Sequence, residues 1–252
     1  MKQAEQETPG LQDEQERRRA AEPIFNAPSV VVWLIGFLIL IHALISVMPT
    51  RAEAYIEYFG ALSPRAFFNG FTRGGDVLRA FPPLVTHIFL HASWTHVFMN
   101  SVWLLVFGAP AARKLGADGR IAGAPALAFL AFFILCGVAG ALTFIAIHPG
   151  ADTLLVGASG GVSGLLGALV RFAFQRPTIF GYPEREFARL TDRTVISWSV
   201  GFLFINIFVS VFSGVIAPEQ GAIAWEAHLG GYVFGLLTFP AFVAAVRNRR
   251  FR

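Results

Sequence analysis

Ser159, His228, His96 and Asn100 are polar side chains set in stretches that are otherwise apolar. Strongly polar groups in such surroundings are costly and are functional hypotheses by default. His96 and Asn100 are one helical turn apart, so on a helix they share a face and present two donors together. Such a pair suits an oxyanion; it suits hydrogen bonding between two helices equally well. Ser159 sits in Gly157-Ala158-Ser159-Gly160-Gly161-Val162-Ser163-Gly164. Glycines on both sides allow close backbone approach. A serine near a helix start would lie among free N–H groups that favour negative charge. Gly160, Gly164 and Ala168 also recur every four residues, so Ser159 has a plainer reading as one more small residue in a packing stripe.

His228 lies in Ala227-His228-Leu229-Gly230-Gly231-Tyr232-Val233-Phe234-Gly235 and shares a helix face with Gly231 and Gly235. Another helix can pack closely where this histidine points. His87 and His91 stand close to His96 in sequence, which raises a metal site as a third reading of that cluster. No HExxH motif occurs and no Asp or Glu accompanies these histidines, so neither a metal nor any other cofactor is expected.

The elements that must carry these groups are long apolar blocks. Hydrophobic residues make up 55% of the chain and charged ones 14%, with mean hydropathy +0.58, whereas a soluble domain carries roughly 25% charged residues. A bilayer crossing takes about 20 apolar residues. Six blocks approach that length, at about 28–48, 94–112, 122–147, 158–175, 194–216 and 225–246. The first is too long for a signal peptide and is expected to stay in the membrane as an anchor. The expected fold is an all-α polytopic membrane protein, a six-transmembrane-helix bundle. Between spans 1 and 2, residues 49–85 are rich in aromatics but interrupted by charges and turn residues. They are expected to form an ordered external loop in the membrane interface.

The chain divides into a polar tail at 1–22, a membrane domain at 23–247 and a basic tail at 248–252. The first tail is too poor in large apolar side chains to bury a core and is expected to be disordered. Arg17 to Arg19, Arg113, Lys114, Arg120, Arg176, Arg185, Arg189, Arg193 and the basic tail all fall on one side of the alternating spans. The short loops 148–153 and 218–226 on the other side hold no Lys or Arg. The positive-inside rule then places both termini in the cytoplasm. The net charge of +4 therefore reads as a topology signal, and no nucleic-acid partner is expected. The single cysteine, Cys136, lies inside an apolar block and reads as a small buried hydrophobe.

Depth agrees between the serine and the last histidine. His228 lies about 28 Å along its helix from Arg247, and Ser159 about 26 Å from Arg176. Both fall towards the outer side, each on a glycine-lined face.

Together the three clusters resemble the rhomboid family of intramembrane serine proteases in its six-span form. The pattern is His-xxx-Asn in the second span, Gly-x-Ser-Gly at the head of the fourth (Gly157 to Gly160), and Ala-His-xx-Gly-xxx-Gly in the sixth. The resemblance covers residues 28–246. It implies that Ser159 attacks the scissile carbonyl and that His228 takes its proton and later gives it to the leaving amine. It implies a dyad without an acid. The oxyanion would be held by His96, Asn100 and the backbone N–H of Ser159, and His91 would support the external loop from beneath. Substrates would be single-span or polytopic membrane proteins in the lipid bilayer, cut in a transmembrane segment near the outer boundary. A multi-pass protein of a bacterial inner (plasma) membrane is the expected setting. The alternative is a catalytically inactive relative that binds transmembrane clients; such proteins generally lose the serine or the histidine, and both are present. A transporter would spread its polar groups along a pathway, and here they cluster towards one side.

Three positions depart from the family pattern. Many relatives carry an aromatic ring four residues after the nucleophile, stacked on the histidine, and here that position is Ser163. Trp225, Phe98 and Trp103 are possible substitutes for that ring. A Trp-Arg pair common in the external loop is missing, with Arg79 and Phe81 as partial stand-ins. The second span usually ends at an acidic residue, and here Arg113 and Lys114 follow it.

Overall fold

The computed structural model describes residues 27–72, 76–117, 123–174, 185–216 and 224–250. The 1–22 tail, Arg120, Arg176, most of the 218–226 loop and the last two residues lie outside the described residues. The chain forms an all-α polytopic membrane protein. Its helices are α1 (Ser29–Ser46), α2 (Thr50–Gly60), α3 (Pro64–Thr72), α4 (Val77–Ala80), α5 (Pro83–Thr86), α6 (Trp94–Leu115), α7 (Ala124–Ile147), α8 (Ser159–Phe172), α9 (Arg193–Ile216) and α10 (Trp225–Arg250), with a 3₁₀ turn at His87–Phe89. In lipid every backbone polar group must find its partner within the chain, which is why the apolar blocks become helices.

Among the described residues five helices, α1, α6, α7, α9 and α10, are long and apolar enough to cross a membrane. The remaining apolar block gives α8, which has only 14 residues. Of the expected 158–175 stretch the helix takes Ser159–Phe172, and the chain enters it extended. Leu155 makes a two-way backbone pair with Leu62, N···O 2.8 and 3.0 Å. The Gly157 N–H donates to the His87 carbonyl at 2.8 Å. Gly157 itself has φ +117°, a conformation L side chains rarely adopt, and it turns the chain into the first residue of α8. The helix start is thereby sunk into the bundle.

α8 is the centre of the molecule. It packs on α10, α7 and α6, and every residue from Gly160 to Val170 is buried. Lipid tails are as apolar as Leu, so helices in a membrane associate through close packing, and small residues permit the closest approach. A Cβ on Gly235 would overlap the Gly164 carbonyl oxygen, one on Gly167 the Tyr232 carbonyl oxygen, and one on Gly164 the Cys136 sulfur. The small-residue stripe is thus the seam of the bundle, and Cys136 is buried against it. α1 packs beside α6 through the four-residue repeat Val30, Leu34, Leu38 and His42, all buried.

The segment between α1 and α6 is ordered, as its aromatic content suggests, but it is a chain of short helices that none of the spans resembles. Arg79 is buried and anchors it: its Nη1 donates to the Ala61 carbonyl at 2.7 Å, and its guanidinium lies over the Tyr58 ring at 4.6 Å. Phe81 packs edge-on to Phe67 at 5.7 Å. Arg65 ties the loop to the turn before α8, pairing with Asp152 at 2.8 Å. At the opposite end, Glu186 accepts from Arg247 of α10 at 2.5 Å and from Lys114 of α6 at 3.2 Å. Lys114, at the end of the second span, therefore takes its acidic partner from the loop before α9.

Candidate active site

Ser159 is the first residue of α8, held there by the extended segment behind it. Its Oγ donates to His228 Nε2 at 2.8 Å. The two residues come from different helices 69 positions apart. They meet because α8 and α10 cross at glycines: a Cβ on Gly231 would overlap the Gly160 carbonyl oxygen. His228 lies three residues before Gly231, so its ring is carried to the head of α8.

The other nitrogen of His228, Nδ1, donates to Asn206 Oδ1 of α9 at 2.7 Å. Asn206 Nδ2 in turn donates to the Phe202 carbonyl, one turn back on its own helix, at 2.8 Å. An amide has one acceptor end and one donor end. With the donor end on Phe202, the acceptor faces His228, so Nδ1 carries the hydrogen and Nε2 offers its lone pair to Ser159.

On the far side of Ser159, α6 presents His96 and Asn100. Ser93 caps this helix, its Oγ accepting from the His96 N–H at 3.2 Å. A Cβ added at Gly157 would lie 2.7 Å from His96 Nε2 and 3.7 Å from Asn100 Nδ2, so both side chains stand over the turn that leads into Ser159. Asn100 is buried, and its Nδ2 has no hydrogen-bond partner among the described residues. A buried donor without an acceptor is expensive and marks a place where an acceptor belongs.

His91 packs edge-on to His96, ring centroids 5.1 Å apart, and faces His42 of α1 at 6.5 Å. Neither of its ring nitrogens has a hydrogen-bond partner among the described residues. His87 shapes the turn instead, through its carbonyl to Gly157 and its Nδ1, which lies 2.7 Å from the Pro83 carbonyl. Of the glycines around these residues, Gly157, Gly231 and Gly235 have no room for a Cβ, whereas one on Gly160 would meet only ordinary van der Waals contacts.

The structure therefore brings together Ser159, His228, His96 and Asn100. No aromatic ring is stacked on His228 among the described residues; Trp103 stacks on Phe107 at 5.2 Å and Phe98 is exposed. The group at Nδ1 is Asn206, which the sequence reading did not single out. A signal existed: it is the one amide in a block otherwise made of apolar residues, serines and one threonine.

A sequence model of the Rhomboid domain matches residues 77–245, from α4 almost to the end of α10. No curated protein matches the chain. Since the match covers more than half of the sequence and takes in each helix that bears a site residue, the chain belongs to the rhomboid family.

Proposed function

We propose that the protein is an intramembrane serine endopeptidase that cleaves transmembrane segments of other membrane proteins with a Ser159–His228 dyad. The observation that carries the reading is the 2.8 Å bond from Ser159 Oγ to His228 Nε2, made between two residues that the family resemblance selects independently. As the Ser159 oxygen attacks the scissile carbonyl, its proton passes to Nε2. The negative charge that develops on the carbonyl oxygen falls near Asn100 Nδ2, His96 and the Ser159 N–H, donors placed before the reaction starts. Collapse of the tetrahedral intermediate breaks the C–N bond, and His228 returns the proton to the leaving amine. A water molecule, deprotonated by the same nitrogen, then releases the acyl group.

The basic end of the bundle, with Lys114, Arg247 and the loop before α9, is assigned to the cytoplasm, and the Ser159 end to the outer half of a bacterial inner membrane. A substrate helix would reach the site from the bilayer and unwind near that outer boundary.

The test is cleavage of a single-span substrate in proteoliposomes. Ser159→Ala is expected to abolish cleavage and labelling by a fluorophosphonate probe. Cleavage by Ser159→Ala at the parental rate would refute the reading. Intact binding of the substrate by a parent protein that neither cleaves nor labels would favour an inactive client-binding relative.

A further inference from the structure

α9 differs from the other long helices in how little of it is buried. Only 6% of its apolar window is buried, against 28–44% for the other four. Its first half is nonetheless anchored: Phe174 stacks on Trp198 at 4.2 Å, Phe202 stacks on Tyr232 at 4.3 Å, and Ser199 Oγ lies 2.8 Å from Tyr232 Oη. From Leu203 onward the apolar side chains Leu203, Phe204, Ile205, Ile207, Phe208 and Val209 are exposed. Asn206, in the midst of these, points the other way and holds His228.

We propose that Asn206 is a positioning residue of the dyad, fixing the tautomer and ring orientation of His228 from the least buried long helix of the bundle. The inference rests on the endopeptidase reading and deepens it. It supplies what Ser163 leaves open, since no ring stacks on this histidine among the described residues. The amide is itself fixed by the Phe202 carbonyl, so the chain Phe202 O, Asn206, His228, Ser159 has one consistent set of donors and acceptors. Flipping the amide would set Asn206 Oδ1 against the Phe202 carbonyl oxygen, two acceptors face to face. Displacement of α9 by more than a hydrogen-bond length breaks the contact at Nδ1 and frees the ring to rotate away from Ser159. Around His228, the titratable side chain that acts on it from another helix is His96 of α6; Glu226, on its own helix, is held by His148 at 2.9 Å.

Asn206→Leu keeps the side-chain size, suits a lipid-facing helix and removes the acceptor. In the full chain it is expected to lower kcat on a single-span substrate by about 10²-fold with KM unchanged. Asn206→Asp, which restores an acceptor at the same place, is expected to recover most of that loss. Phe204→Leu, on the exposed face of the same helix, is expected to leave kcat alone. Nitrogen NMR of labelled imidazole in a Ser159→Ala background gives a readout that needs no activity: His228 should show one tautomer, protonated at Nδ1, and a mixture once Asn206→Leu is added. Parental kcat in Asn206→Leu overturns the inference, and so does a kcat loss with the tautomer unchanged. Either result leaves the endopeptidase reading standing as long as Ser159→Ala is inert; cleavage by Ser159→Ala removes that reading instead.

Discussion

Gly231 of α10 and Gly160 of α8 touch backbone to backbone, so closely that a Cβ on Gly231 would fall on the Gly160 carbonyl oxygen. This crossing, repeated one turn on by Gly235 and Gly164, sets the separation of the two helices. It therefore also sets the 2.8 Å between Ser159 and His228. A backbone carbonyl cannot move aside as a flexible side chain can. Gly231→Ala is expected to push the helices apart, destabilise the bundle by about 1–3 kcal/mol and abolish cleavage. Gly201→Ala, on α9 with nothing within 4 Å of its added methyl, is the control and should be neutral or slightly stabilising. Thermal denaturation in detergent and a cleavage assay on both variants decide it; equal behaviour of the two would mean that the glycine seam does not set the geometry.

Asn100 holds a buried Nδ2 with no partner among the described residues, beside the turn into Ser159. If that donor serves the developing oxyanion, it matters in the transition state and little in substrate binding. Asn100→Leu is expected to lower kcat by about 10²–10³-fold with KM nearly unchanged, the range found for removal of one such donor. Its thermal stability should hold or rise, because an unsatisfied buried amide is replaced by an apolar group. A variant that keeps its kcat, or that loses only KM, would remove Asn100 from the reaction.

The periodic features of this fold are open to sequence reading, and those that depend on partners far along the chain are not. Gly160, Gly164 and Ala168, and His228, Gly231 and Gly235, repeat at helical spacing, so their shared faces follow from period alone. His96 and Asn100 follow in the same way. Asn206 does not follow from period, because its partner lies 22 residues away on another helix. The extended entry to α8 is hidden for a related reason: it depends on Leu62 and His87, far back in the chain, pairing with Leu155 and Gly157. Arg79, weighed as a stand-in for a missing loop pair, turns out to anchor the loop through a carbonyl and a ring.

That anchor gives a third expectation. Arg79 fills the Ala61 carbonyl with a buried hydrogen bond at 2.7 Å and covers the Tyr58 ring. Arg79→Ala leaves the carbonyl unsatisfied, at a cost of about 1–3 kcal/mol, and detaches α4 from α2. The loop over residues 49–89 should then become the first site of limited proteolysis, while the spans remain protected. Arg79→Lys should rescue only partly, since an ammonium keeps a donor but loses the planar stacking on Tyr58. Unchanged loop protection in Arg79→Ala would show that the remaining contacts, Arg65 with Asp152 among them, suffice.

Glu186 yields an expectation for pH. Its carboxylate accepts from Arg247 at 2.5 Å and from Lys114 at 3.2 Å, joining the ends of α10 and α6. The hydrogen bond from Arg247, and then Lys114, hold its carboxyl below the ordinary glutamate value of 4.5 despite partial desolvation. A group whose folded value is depressed adds stability above its unfolded value and loses it as pH falls through the folded one. The clamp should therefore be fully formed at neutral pH and fade in the acidic range below 4.5. Because Glu186 is 38% exposed, solvent screens the pair and the gain stays under about 1 kcal/mol. At pH 7 and low salt, Glu186→Gln should melt slightly below the parent. The gap should shrink as the pH is lowered, and also as salt is raised at neutral pH. A difference between the two proteins that does not change with pH would mean that Glu186 acts by shape rather than by charge.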